Sequence, residues 1–399
     1  MRELFKKIIN FEPAPRTLKW EFGYWDSTVE RWYREGLPRM KGLSEKVPYN
    51  KSVVGPALPN MYYNSKLLFT EDYDISNFFN FDSGFKMFTF NYFFYPDFEE
   101  KIIFEDDTYI EKINNQGIRT REFKDSTSMP MWLEFPVKDR KDWEELKEER
   151  LNLNSINNRY MQNSNNYIKN AEQRNFIIGI LGGTTGFFGC LRSLMGEEKL
   201  FMTYYDDPKL ILDMVEHLCN LWLGIAEELT SKVDFDLAYF WEDMAGKKGS
   251  LISPSIFKEY MSPYYKKITG FLKTIGIDKF VVDTDGKVDE LIPLFLESGV
   301  NMMYPFEQQA GNDLIEYRKK YPELVICGGF DKNALYKGKD AIDKELGKIK
   351  YLISRGGYIP YGDHFIPPNA SWDNFKYYRE KLNHIIDNTE IKGNKNATF

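Results

Sequence analysis

The chain predicts an α/β protein: a single (β/α)8 TIM barrel with an antiparallel β meander inserted in its N-terminal third. Three observations predict it. Eight short apolar runs of strand character fall near residues 18–24, 87–92, 177–182, 236–241, 279–283, 301–305, 324–328 and 358–361. Helical patterns separate them through the second half of the chain. The last five strands each run into carboxylates, and the final one into a histidine. Polar residues at the C-terminal ends of successive strands are the layout of a barrel enzyme.

Each element has its own justification. Leu4, Phe5, Ile8 and Ile9 form one face of a short N-terminal helix. Arg16–Tyr24 alternates and carries strand formers, so a strand is expected. Thr28–Gly36 reads as a helix ended by glycine. Residues 40–60 are rich in Pro, Gly, Asn and Lys and read as a loop. Residues 85–124 hold β-rich runs split by turn residues: one barrel strand near 87–92, then the meander, as a cap or flap. Its aromatics read as packing rather than a base-stacking platform, because basic interleaving is sparse. Asp139 opens a charged helix. Phe176–Leu181 is a buried strand followed by the glycine-rich stretch Gly182–Gly189. Asp207-Pro208 and Ser253-Pro254 open helices with a cap and a first-turn proline. Pro263 kinks the second or splits it in two, and Gly276 ends it. The barrel is expected to span 1–387, with a flexible tail over 388–399.

Composition narrows the function. The net charge of −7 excludes a general nucleic-acid binder. Cys190, Cys219 and Cys327 are far apart and form no CxxC pair, which suits a reducing cytoplasm. No apolar run reaches about 18 residues, so no membrane span is expected. Residues 1–10 lack the apolar run of a signal peptide.

The strand ends carry the chemistry. Tyr239-Phe240-Trp241 runs into Glu242-Asp243, Val281-Val282 into Asp283-Thr284-Asp285-Gly286, and Tyr304-Pro305-Phe306 into Glu307. Phe330 precedes Asp331, and Gly362 precedes Asp363-His364. Asp283 and Asp285 sit two apart, so an extended backbone aims both the same way. Such a pair holds a metal, shares a proton or binds a cation; the plainer reading is an Asp-Gly turn with Asp285 as a cap. His364 is expected to act as an acid/base or a ligand, its ring oriented by Asp363 or another carboxylate. The alternative is a loop histidine satisfied by a carbonyl. His217 and His384 lie in helical patterns and read as ordinary. Glu242, Asp243 and Glu307 are site candidates as a set; singly, each is a partner for a lysine such as Lys247 or Lys248. Asp331 reads as a cap. Gly182–Gly189 lacks a following Gly-Lys-Ser/Thr and is no P-loop. Tight turning is its plainer role; the alternative is that it lets substrate approach backbone N–H groups. Cys327 reads as core.

In order along the chain, several stretches resemble the uroporphyrinogen decarboxylase superfamily, which includes corrinoid-dependent methyltransferases. They are Phe22–Asp26 with Glu35–Pro38, Ser128–Lys138 with Asp142-Trp143, Trp241–Ala245, Leu251–Pro254, Phe257–Tyr265, Asp283–Gly286, Tyr304–Glu307, Cys327–Lys332 and Gly357–Pro367. The resemblance covers nearly the whole chain and implies a single barrel. The decarboxylases resembled grip their porphyrinogen with an arginine-rich N-terminal motif. Here Arg16–Gly23 has one arginine and a glutamate, although Arg119, Arg121 and Arg192 compensate in part. An acid-lined mouth repels a substrate with eight carboxylates. His364 stands where these decarboxylases have a site histidine. The zinc methyltransferases resembled carry His-x-Cys-Gly at Asp283–Gly286 and a further cysteine where His364 stands. The replacement implies a mixed site of Asp283, Asp285 and His364, with Glu242 or Glu307, for zinc or a similar divalent ion.

The expected function is therefore methyl transfer from a small methylated substrate to a corrinoid on a partner protein. The metal or a protonated His364 would activate the leaving heteroatom, and Tyr239, Trp241, Tyr304, Tyr361 and Arg192 would shape the substrate pocket. The alternatives are a decarboxylase of a uroporphyrinogen-like tetrapyrrole, needing no cofactor, and a catalytically silent binding barrel. A cytoplasmic protein without nucleic-acid or membrane partners is expected, with the flap as a lid or a homodimer interface.

Overall fold

The computed structural model describes residues 1–42, 52–54, 69–124, 130–161, 164, 168, 174–182 and 185–393. Much of the loop expected at 40–60, Ser128 of the resembling stretches, and Gly183-Thr184 lie outside the described residues.

A seven-stranded parallel sheet forms the frame. Its strands in chain order are β1 (Phe85–Met87), β2 (Ile177–Ile180), β3 (Leu237–Trp241), β4 (Phe280–Thr284), β5 (Met302–Pro305), β6 (Val325–Cys327) and β7 (Tyr358–Ile359). Each pairs with its neighbour in sequence order. β2, β5 and β6 are buried at every position, which is why they read as continuous apolar runs rather than alternating ones.

The expected eighth strand is a correction. Over 18–24 the chain makes one parallel bridge among the described residues, Tyr24 to Ile366, and no parallel ladder beyond it; Tyr24–Trp25 also pairs antiparallel with Ser52–Val54. Side chains supply much of the remaining hydrogen bonding beside a few backbone bonds, such as Asp82 N to the Lys19 carbonyl (3.1 Å) and Ile366 N to the Gly23 carbonyl (2.9 Å). The Thr17 hydroxyl donates to the Tyr358 carbonyl (2.7 Å), and Gly362 N donates to Glu21 Oε1 (2.7 Å). On the other side Lys19 N donates to Asp82 Oδ2 (2.9 Å) and the Trp20 indole to the Ser83 carbonyl (3.2 Å). The segment is thus tied both to β7 and to the residues leading into β1.

The strand expected at 87–92 is shorter and earlier, because Phe90 leaves the sheet to bridge Tyr160. The meander is a four-stranded antiparallel sheet of Lys101–Glu105, Tyr109–Ile113, Arg119–Phe123 and Met131–Glu134. It runs past the expected boundary at 124.

The helix signals behave as their chemistry requires. Asp139 caps Arg140–Glu149, Asp207 caps Pro208–Thr230, and Ser253 caps Pro254–Tyr260. Near Pro263 the helix divides into Pro254–Tyr260 and Ser262–Thr274. The tail expected to fray from 388 is docked at Ile391, which is buried and exchanges backbone hydrogen bonds with Ala14; residues 394–399 lie outside the described residues. Among the described residues no helix is long and apolar enough to cross a membrane.

Candidate active site

Strand register sets Trp241, Asp283 and Tyr304 level with one another at the C-terminal ends of β3, β4 and β5. The Tyr239 phenol donates to Asp283 Oδ2 (2.7 Å). The Tyr304 phenol donates to the Tyr239 oxygen (2.8 Å) and lies 3.2 Å from the same Asp283 oxygen. Burial, then the charge of Asp285, with a further push from Asp243, hold the Asp283 pKa well above the ordinary aspartate value; the two phenols pull the other way.

Asp283 and Asp285 part company rather than aim together. β4 ends at Thr284, and Gly286 turns the chain at φ +77°, where an added Cβ would sit 2.4 Å from the Ala245 carbonyl oxygen. Asp285 therefore reaches the histidine: Oδ2 lies 3.5 Å from His364 Nε2. The His364 ring stacks on Phe22 (centroids 4.9 Å, 24°) and meets Phe365 edge-on at 5.1 Å. Glu307 accepts from Gly286 N (3.1 Å) and pairs with Lys332 (3.5 Å), not with Lys247 or Lys248.

Several expected site residues are placed elsewhere. Glu242 is fully buried beneath the N-terminus of the helix Phe187–Met195. It accepts from Phe187 N and Gly189 N (both 2.8 Å) and from the Tyr265 phenol. This is a carboxylate at a helix N-terminus. Burial outweighs these donors and raises its pKa to about 7. The glycine-rich stretch serves this packing: a Cβ on Gly186 or Gly189 would collide with the Trp241 carbonyl at 2.0 and 2.5 Å. Asp363 does not orient His364. It is buried and accepts from Gln308 N (2.7 Å) and Lys332 N (3.0 Å), tying together the loops after β5 and β6. Asp331 is expected to cap the next helix, but the cap residue of Ala334–Lys337 is Asn333; Asp331 instead accepts from Asn333 N (2.9 Å) in the turn after β6 and from the Gln309 amide (2.8 Å). Tyr239, Tyr304 and Tyr361 are all buried, so they form the floor under Asp283 rather than an open pocket wall. Arg192 is engaged by Asp243 (2.8 Å) and Glu197 (3.3 Å) and lies over the Trp241 ring.

The expected metal site is not assembled. Among the described residues no group of three or more His, Cys, Asp or Glu side chains is arranged to hold an ion. Asp283 Oδ2 is committed to phenols, leaving Asp285 and His364 as a pair. Among the described residues, this donor set does not fit a resident metal.

Two residues were missed. Phe22 fixes the histidine ring from a segment expected as a strand and as one of the resembling stretches, with no site role given to Phe22 itself. Glu21 is wholly buried, accepting from Gly362 N and Phe22 N (3.0 Å) and pairing with the buried Arg379 at 3.3 Å. An acid between Trp20 and Phe22 was the available signal.

Buried acids also set a pH dependence. Burial raises Glu242 to about 7 and Asp72 and Asp363 each to about 6. A raised carboxyl binds its proton more tightly folded than unfolded. Its stabilising share is complete below the unfolded pKa and disappears as pH rises through the folded value. Thermal stability is expected to fall between pH 4.5 and about 7, and Glu242→Gln to flatten the upper part of that fall. A melting temperature rising across this window would contradict the assignment.

A family model described as uroporphyrinogen decarboxylase (URO-D) matches residues 117–384. No curated protein matches the chain. Among solved structures, a methyltransferase from Methanosarcina mazei aligns with a TM-score of 0.43 at 14% identity, over 64% of this chain and 73% of that one. A B12-independent methionine synthase from Shewanella sp. W3-18-1, in complex with selenomethionine, gives 0.32 at 9% identity, over 55% and 67%. At these scores neither bears on activity. The family match covers more than half of the sequence and agrees with the resemblance of the ordered motifs: the chain belongs to the uroporphyrinogen decarboxylase family.

Proposed function

We propose that this protein is an acid-assisted methyltransferase, moving a methyl group from a small methylated substrate to a corrinoid carried by a partner protein. The observation behind this reading is Asp283, a carboxyl at the end of a parallel strand with two phenols on Oδ2, whose pKa burial and the charge of Asp285 push well above the ordinary aspartate value. Breaking a methyl–heteroatom bond leaves an electron pair on the heteroatom. Asp283 would supply the proton that neutralises it, and a nucleophile would take the methyl carbon. The corrinoid, when its partner protein is docked, supplies that nucleophile; it enters from the family resemblance. Trp25 and Phe365, half-buried and 5.5 Å apart beside His364, form an apolar rim suited to a flat macrocycle. His364, held by Phe22 and Asp285, would orient the substrate. We also read the sheet as a closed (β/α)8 barrel over 1–387, with Arg16–Tyr24 in the eighth place.

Decarboxylation of a porphyrinogen is the second reading, favoured by the family model and by the same proton donor. The arginines weigh against it. Arg16 is paired with Asp82, Arg119 and Arg121 with Glu111, and Arg192 with Asp243, so each already has a carboxylate. The test is a methyl-transfer assay with reduced cobalamin as acceptor and small O-, N- and S-methyl compounds as donors, run beside a uroporphyrinogen assay. Methylated cobalamin from at least one donor, lost in Asp283→Asn, is the expected result. Carbon dioxide release from uroporphyrinogen without methyl transfer would replace this reading with the second.

A further inference from the structure

We propose that Asn312 is a positioning residue of the active site: its buried amide fixes the turn that carries Asp285, and so sets that carboxylate against His364. Asn312 lies in the loop after β5 and is 4% exposed. Every hydrogen-bonding site of its amide is in use. Nδ2 donates to the Gly286 carbonyl and to the Glu307 carbonyl (both 2.8 Å). Oδ1 accepts from Val288 N (3.2 Å) and from the Tyr317 phenol (2.9 Å). The orientation of the amide is forced, because a carbonyl only accepts and a backbone N–H only donates.

The turn is what Asn312 holds. Strand β4 ends at Thr284, and the chain bends at Gly286 with φ +77°. Gly286 N donates to Glu307 Oε2 (3.1 Å), and Lys287 N to the Gly246 carbonyl (3.0 Å). Asn312 takes the backbone groups on either side of Lys287, the Gly286 carbonyl and Val288 N, and so closes the turn from a single side chain. Through the Glu307 carbonyl it also ties this turn to the loop after β5. Asp285 directly precedes Gly286, and its Oδ2 lies 3.5 Å from His364 Nε2. After burial, the charge of Asp285 is the largest push on the Asp283 pKa, so the same turn bears on the proposed proton donor.

The residue type fits the task. An amide donates twice and accepts twice, whereas an ionised Asp only accepts and an apolar residue of that size does neither. Buried polar groups left without partners are costly, so Gly286, Glu307 and Val288 would shift to find others if the amide were lost. With every site of the amide spent on these partners, Asn312 acts on the chemistry only through the turn it holds. The kinetic consequence rests on the proposed methyl transfer; the placement of Asp285 against His364 does not.

Ring NMR of the full chain labelled at histidine reads that placement. The chain has three histidines. His217 and His384 sit in the helices Pro208–Thr230 and Trp372–Asp387 and act as internal controls, with His364→Gln assigning the third signal. Asn312→Ala is expected to shift the His364 signal and leave the other two in place. Asn312→Asp keeps the shape and the Oδ1 acceptor but sets an oxygen against two carbonyls, so it should shift the same signal; it decides the matter if Asn312→Ala does not fold. In the methyl-transfer assay Asn312→Ala should lower kcat/KM about 10- to 100-fold, the scale for a displaced site group. The double variant with Asp285→Asn should lose no more than the larger single loss, because one residue acts through the other. An unmoved His364 signal, all three signals moving together, or losses that multiply in the double variant would overturn the proposal. A wild type that methylates cobalamin from no donor would sink the proposed function instead, and the NMR alone would then judge Asn312.

Discussion

Replacing Asp283 by Asn is expected to lower kcat/KM by about 100- to 10,000-fold, the range for losing a positioned proton donor. The loss should fall on kcat, with KM nearly unchanged, because a proton delivered to a leaving group acts only in the transition state. The same change should stabilise the protein above neutrality. Asp283 is raised by burial and by Asp285, so its stabilising share exists below the ordinary aspartate pKa and is lost as pH rises through its own. At alkaline pH the wild type keeps a carboxylate in a site that disfavours charge, and Asn removes it. Steady-state kinetics and a melting curve at alkaline pH check both halves. A variant that is inactive and also less stable there would mean that Asp283 is a structural acid.

Glu21→Ala is expected to cost on the order of 3–5 kcal/mol, the penalty for leaving one member of a buried ion pair alone. Arg379 would stay fully enclosed without its carboxylate. The lost acceptor also frees Gly362 N, two residues before His364, and Phe22 N, whose ring the histidine stacks on. Activity of the folded fraction should therefore fall as well. Denaturant unfolding of Glu21→Ala, compared with the double variant Glu21→Gln with Arg379→Met, measures this. Recovery of stability in the double variant is expected, since neither charge is then stranded. Equal losses in both would show that the pair is not what holds the segment.

Much of this site was legible because buried parallel strands betray themselves as apolar runs. Asp283 stood out as an acid entering such a run, and Asp285 and His364 as the polar residues beyond two strand ends. What stayed hidden depends on partners far away in sequence. Glu242 looks the same as a site acid until the helix behind Gly186 and Gly189 is seen closing over it. Asp363 sits beside His364 in the chain, yet its oxygens serve backbone groups on two other loops. Residues 18–24 alternate like a strand, but besides a few backbone bonds their hydrogen bonds run through the side chains of Thr17, Glu21 and Asp82, which no local pattern reveals. The metal expectation rested on the two-residue spacing and on the resemblance to zinc methyltransferases; the turn at Gly286 sends the two aspartates to different partners.

The most direct test of the account is the protonation state of Asp283, followed by carbon-13 NMR of aspartate-labelled protein, with Asp283→Asn assigning the signal. The account predicts a carboxyl that titrates well above the ordinary aspartate value and is absent from the variant. An aspartate titrating near its ordinary value of about 3.9 would contradict it and remove the proton donor on which the proposed reaction depends.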